Sequence, residues 1–270
     1  MGRCLLCTKE AETPYEVDGL DLRIYSIEEL SVLIMQDLDF LKDDFIDERL
    51  IDFVGKELEM KETAEKIRRF YKTPADFDAT IQMLISEAGY FDEDELNEFQ
   101  ERLVLRRKKS GPERLKDRAD VLKDKKRYAL AIRTYRQLLS GPRDGRLSAE
   151  FYTKTREDLA NCFGKLFDFD RAVEILKEVY EETKEARILK KIYDIMVLSG
   201  QGTEDEVFKD LSKETLRLWQ MDYLSRESAA RTNLDEDPGM RMFLKEQELA
   251  EKEIIEYAED MKDSFRGMLE

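Results

Sequence analysis

A chain of 270 residues, 41% hydrophobic and with only 12 Gly and 5 Pro, has the apolar content for one large core or two modest ones. Its 62 acids outnumber its 46 bases, for a net charge of −16, which argues against a nucleic-acid or anionic-membrane partner. There is no histidine, so imidazole general acid–base catalysis, Ser-His-Asp and Cys-His nucleophiles and His metal ligands are all excluded.

Charged residues make up 40% of the chain, which with the scarcity of breakers favours long amphipathic helices and an all-α class. No run of about 20 apolar residues spans a membrane. Three cysteines give no disulfide framework, so the expected location is cytoplasmic.

Residues 1–26 differ from the rest. Cys4-x-x-Cys7 is the one metal candidate, half of a zinc site that no His completes. Tyr15–Val17 and Leu20–Tyr25 flank Asp18-Gly19, the signature of a small β-hairpin. From Ser26 the period becomes helical, and Ser26-x-x-Glu29 reads as a capping box ahead of Leu30, Leu33 and Ile34.

Further helices are predicted over Asp47–Met60, Thr63–Tyr71, Pro74 to Gly89 and Asp92–Lys109. The acidic start Asp92–Glu95 suits a helix N-terminus, and the basic run Arg106–Lys109 complements a helix C-terminus. Gly111-Pro112 marks a boundary, because Gly stops a helix and Pro starts one.

Beyond it helices come in pairs, with turns near Lys126, at Gly141-Pro142, near Asp168, near Lys184 and at Gly200–Gly202. A helical stretch from Glu204 to about Arg231 precedes a polar break at Asn233–Gly239 and a last helix, Met240–Glu270. The expected organisation is therefore an N-terminal Cys-x-x-Cys and hairpin segment (1–26), a helical domain (27–111), paired helices (112–232), and a linker with a C-terminal helix (233–270).

One stretch repeats itself. Leu159-Ala160, Phe163, Phe169, Ala172, Leu176 and Val179 place small residues where two antiparallel helices approach and large ones around them. Ala119, Leu122, Tyr128, Ala131, Tyr135 and Leu138 repeat the pattern upstream. Ile192, Met196 and Gly200 fit the first helix of a degenerate third copy. These residues resemble a tetratricopeptide repeat, with Ala160 where the family has Gly and with a first period of 41 residues against the family's roughly 34.

The resemblance implies a short solenoid of stacked antiparallel helix pairs whose first helices line a concave face that binds a peptide or helix. Carried over residue by residue, the binding positions are Lys116, Asp120 and Lys123 in one repeat and Lys154, Glu157, Asn161 and Lys165 in the next. Asn161 takes the place of the family Asn that bonds a peptide backbone. Asp120 and Glu157 replace the basic pair that clamps a terminal carboxylate, which points to a basic or amphipathic partner.

The function expected is thus a protein-binding scaffold or adaptor, with no cofactor and no catalysis. A peptide-sensing regulator of the same architecture is the alternative, and an enzyme with an unrecognised carboxylate site is a further one.

Overall fold

The computed structural model describes residues 7–17, 20, 22–42, 44–70, 74–202, 204–243 and 245–247. Cys4, the Asp18-Gly19 turn, Tyr71, Thr73 and all of the last helix beyond Gln247 lie outside them. Among the described residues the protein is all-α apart from one antiparallel pair, β1 (Tyr15–Val17) and β2 (Leu22–Ile24), in register Tyr15↔Ile24 and Val17↔Leu22. By compactness the chain divides into Met1–Gln201 and Gly202–Glu270.

Tyr15, Val17 and Ile24 are buried, and Tyr15 meets Phe45 edge-on and Phe53 at 5.7 Å between centroids. A hairpin too small to stand alone is thereby fixed by aromatic packing. α1 (Ile27–Gln36) starts at Ser26, whose hydroxyl accepts from the Glu29 amide. The Glu29 carboxylate accepts from the Tyr25 amide (2.6 Å), one residue before the place a capping box requires.

The single helix expected over Asp47–Met60 is instead α2 (Glu48–Asp52) running into a π turn, Phe53–Glu57. The Leu58 amide bonds back to Phe53 O (3.0 Å), and the extra residue in the turn brings Phe53 into the core beside Leu50, Ile51, Val54 and Leu58. The turn also carries Gly55 onto α3 (Lys61–Phe70), where an added Cβ would stand 2.8 Å from Ala64 Cβ. Gly55→Ala is therefore expected to destabilise by about 1–3 kcal/mol through overpacking, read by denaturant unfolding. An unchanged midpoint would mean that α3 moves aside freely.

α4 (Pro74–Ala88) packs on α1, and α5 (Glu93–Lys108) begins with the Asp92/Glu95 capping box. The basic run at the end of α5 does more than complement a dipole. Arg106 is buried over the Phe77 ring and donates to Leu41 O (3.0 Å), Arg107 pairs with Asp78, and Lys109 pairs with Asp117 (2.7 Å).

α6 (Gly111–Asp124) packs on the short 3-10 turn Leu38–Phe40, and the Arg127 guanidinium reaches back to Leu20 O (3.0 Å). One apolar core runs from Ala11 to Ala172, so the Gly111-Pro112 break is a turn within a shared core.

From α6 onward each helix packs on the next: α7 (Tyr128–Ser140), α8 (Ala149–Lys165), α9 (Phe169–Thr183) and α10 (Ala186–Leu198). Ala119, Ala131, Ala160 and Ala172 are wholly buried, which lets these helices approach closely.

Alternate helices of this series, α6, α8 and α10, end alike. At α6, Arg127 N bonds to Leu122 O and Lys126 N to Lys123 O; at α8, Asp168 N bonds to Phe163 O and Phe167 N to Gly164 O; at α10, Gln201 N bonds to Met196 O and Gly200 N to Val197 O. All three are Schellman ends with a left-handed residue: Lys126 (φ 60°), Phe167 (φ 60°) and Gly200 (φ 73°).

In the second unit a 3-10 turn (Glu206–Phe208) capped by Asp205 precedes α11 (Lys213–Glu236), which starts at Ser212. The helix thus begins later than Glu204 and runs through part of the expected polar break. The break narrows to Asp237, whose carboxylate caps the helical residues 238–243 at Met240 N.

Candidate functional site

Helical spacing puts Lys116, Asp120 and Lys123 on one stripe of α6 and Lys154, Glu157, Asn161 and Lys165 on one stripe of α8. The two stripes are tied together by Asp158. Its carboxylate accepts from Lys116 Nζ (3.2 Å) and Lys123 Nζ (3.1 Å), and the same ammonium groups hold Asp120 at 2.7 and 3.3 Å. The Tyr135 hydroxyl, from α7, donates to Asp120 Oδ1.

A second cluster joins α8 to α10. Arg187 grips the Glu157 carboxylate with two 2.7 Å hydrogen bonds, Lys191 adds a third at 3.2 Å, and Lys154 stands 3.9 Å away. Glu157 is 1% exposed, yet its three cations reach solvent. α6, α8 and α10 are therefore fixed side by side, and their stripes form one face.

The electrostatics follow from this packing. Burial alone would raise the Asp120 carboxyl, but Lys116, Tyr135 and Lys123 outweigh it and hold the group below its ordinary range. Glu157 behaves alike: burial pushes up, Arg187 and Lys191 pull down further. Carboxyls held low suit permanent ion pairing and are poor proton donors. Burial would lower Lys123, and Asp158 and Asp120 hold it up. Burial also lifts the Cys162 thiol to about 11.

Of the seven residues marked from the sequence, Lys116, Asp120, Lys123 and Glu157 are built into the two clusters, and Lys154 stands at the edge of the second. Asn161 and Lys165 are exposed further along the α8 stripe. Asp120 and Glu157, the carboxylates behind the expected basic or amphipathic partner, are already engaged by cations of the same face.

Asp158, Tyr135, Arg187 and Lys191 were missed. Asp158 was readable in part, since adjacent acids on a helix diverge by about 100° and so face different neighbours. The partners on α7 and α10 depend on tertiary packing that no local pattern carries.

Cys7 is exposed and Cys162 is buried within α8, both as free thiols. Among the described residues no group of three or more Cys, Asp and Glu is arranged to hold a metal ion, and no helix is long and apolar enough to cross a membrane. Compared with protein-family models, with curated proteins and with solved structures, the chain matches none.

Proposed function

We propose that the chain is a protein-interaction scaffold or adaptor of the tetratricopeptide-like type, docking a peptide or helix along the face made by α6, α8 and α10. The observation that carries this reading is the side-by-side locking of those three helices through buried carboxylates, which presents a preorganised surface. The threefold recurrence of the Schellman end supports the repeat reading.

With Asp120, Glu157 and Asp158 engaged inside the face, Lys154, Lys165, Arg187 and Lys191 stay partly exposed along it and outnumber Glu185, the exposed acid that pairs with Arg187. The peptide it suits is accordingly acidic or amphipathic, with Asn161 placed to bond its backbone. The work is binding and not catalysis. Free thiols at Cys7 and Cys162 fit a reducing, cytoplasmic setting.

A random-peptide display selection against the intact protein tests the reading. Acidic sequences should be enriched, and their affinity should fall at least about tenfold, or 1.4 kcal/mol, in the Asn161→Ala/Lys165→Glu variant. Enriched peptides that bind both proteins equally would move the site off this face. Enrichment of none would sink the scaffold reading.

A further inference from the structure

α5 has two unlike sides. Phe99, Leu103 and Arg106 are buried against the core, while the opposite side carries Asn97, Gln100, Glu101, Val104, Leu105 and Lys108, all exposed. Val104 is 47% exposed and Leu105 58%. A single exposed aliphatic side chain is ordinary, but these two are adjacent and rimmed by polar residues.

Glu101, Val104, Leu105 and Lys108 stand at i, i+3, i+4 and i+7, the four corners of one patch on a helix surface. The apolar pair crosses its waist, the acid marks its N-terminal end and the base its C-terminal end. Lys108 is the remainder of the basic run: Arg106 donates to Leu41 O, Arg107 pairs with Asp78 and Lys109 with Asp117. Glu101 and Lys108 are two turns apart, about 10 Å along the axis, too far to pair with each other. Among the described residues neither has another ion-pair partner.

The patch is complementary to itself. A two-fold axis through its centre lays Glu101 on the partner's Lys108 and Lys108 on the partner's Glu101, with the aliphatic pairs of both copies closed between them. The same rotation runs the two helix dipoles in opposite directions, which is favourable. A parallel pairing would set acid on acid and base on base.

We propose that the outer side of α5 is the contact through which two copies of this chain form a symmetric, antiparallel dimer. One helix patch on each copy buries less than the roughly 1,200 Å² at the low end of stable interfaces, so the association is weak and reversible. The net charge of −16 on each copy opposes it at long range and is screened by salt. The local charge pattern therefore decides the register more than the affinity. α5 contributes no residue to the face of α6, α8 and α10, so the dimer does not depend on what that face binds.

The test is analytical ultracentrifugation of the full chain from about 1 μM to about 1 mM, at about 0.15 M salt. A concentration-dependent monomer–dimer equilibrium is expected. Leu105→Asp, Glu101→Lys and Lys108→Glu should each weaken it at least about tenfold, because every change acts twice in a two-fold dimer. All three positions are exposed, so melting temperatures should barely move. An equimolar mixture of the Glu101→Lys and Lys108→Glu chains should associate about as tightly as the native chain, since the mixed pair opposes unlike charges at both ends. A chain that is monomeric at every concentration overturns the proposal. So does a dimer that survives all three changes, which would lie on another surface. A mixture that fails to recover association would deny the antiparallel register.

Discussion

Glu157→Ala is expected to lower the stability of the first unit by about 2–3 kcal/mol, or about 5–10 °C in melting temperature for a unit of this size. The carboxylate is buried and takes three hydrogen bonds from Arg187 and Lys191, so its loss unties α8 from α10. The effect stays below that of a fully buried pair because Arg187 and Lys191 can recover water. In the Glu157→Ala/Arg187→Ala double variant the losses should not add, and strict additivity would deny that the pair is coupled.

The pH dependence has a definite sign. Asp120 and Glu157 are held below their ordinary values, so they bind fewer protons folded than unfolded. Their contribution is complete above the ordinary carboxylate pKa of about 4 and is lost as pH falls through the lower folded values. Lys123 is held above its ordinary value, so its contribution is present below about pH 10 and is lost only as pH rises further. Acid is therefore the vulnerable side, and Glu157→Gln should flatten the acid limb of a stability–pH curve.

Asp158→Ala is expected to destabilise by about 2–4 kcal/mol, measured in the same way. Two ammonium groups that are largely buried, Lys116 and Lys123, would be left to Asp120 alone, which also receives the Tyr135 hydroxyl. Tyr135→Phe should cost less, about 1–2 kcal/mol, because it removes one donor and leaves both cations answered. If Tyr135→Phe proved the worse of the two, the network would be organised around the phenol instead of the carboxylate.

Much of the fold could be read from local chemistry. Asp92/Glu95, Gly89 and Pro74 mark helix ends by capping and backbone conformation, which act within a few residues. The hairpin and the turns near Lys126, Asp168, Lys184 and Gly200 likewise follow from short-range patterns. The π turn at Phe53–Glu57 was not legible, because it answers the close approach of Gly55 to Ala64, a contact between helices.

The stripe on α6 and α8 could be placed from helical spacing, but the pairing of its charges could be read only in part. Glu157 looks like a free acid until Arg187 and Lys191 of α10 are brought against it, whereas Asp120 also pairs with Lys116 and Lys123 of its own helix.

The three Schellman ends have a consequence for how this chain can change over evolutionary time. Their left-handed residues stand 41 residues apart and then 33, yet the bonding at each end is the same. Most of the surplus sits in the turn after α7, where Asp144 N bonds to the Tyr152 hydroxyl and Asp144 grips Arg146 at the surface, and a longer α8 supplies the rest. A segment that closes on itself transmits no shift to the helices it joins. Length variation is thus taken up mainly in one turn, and whole helix pairs become units that can be lengthened at their junctions, duplicated or lost without disturbing their neighbours.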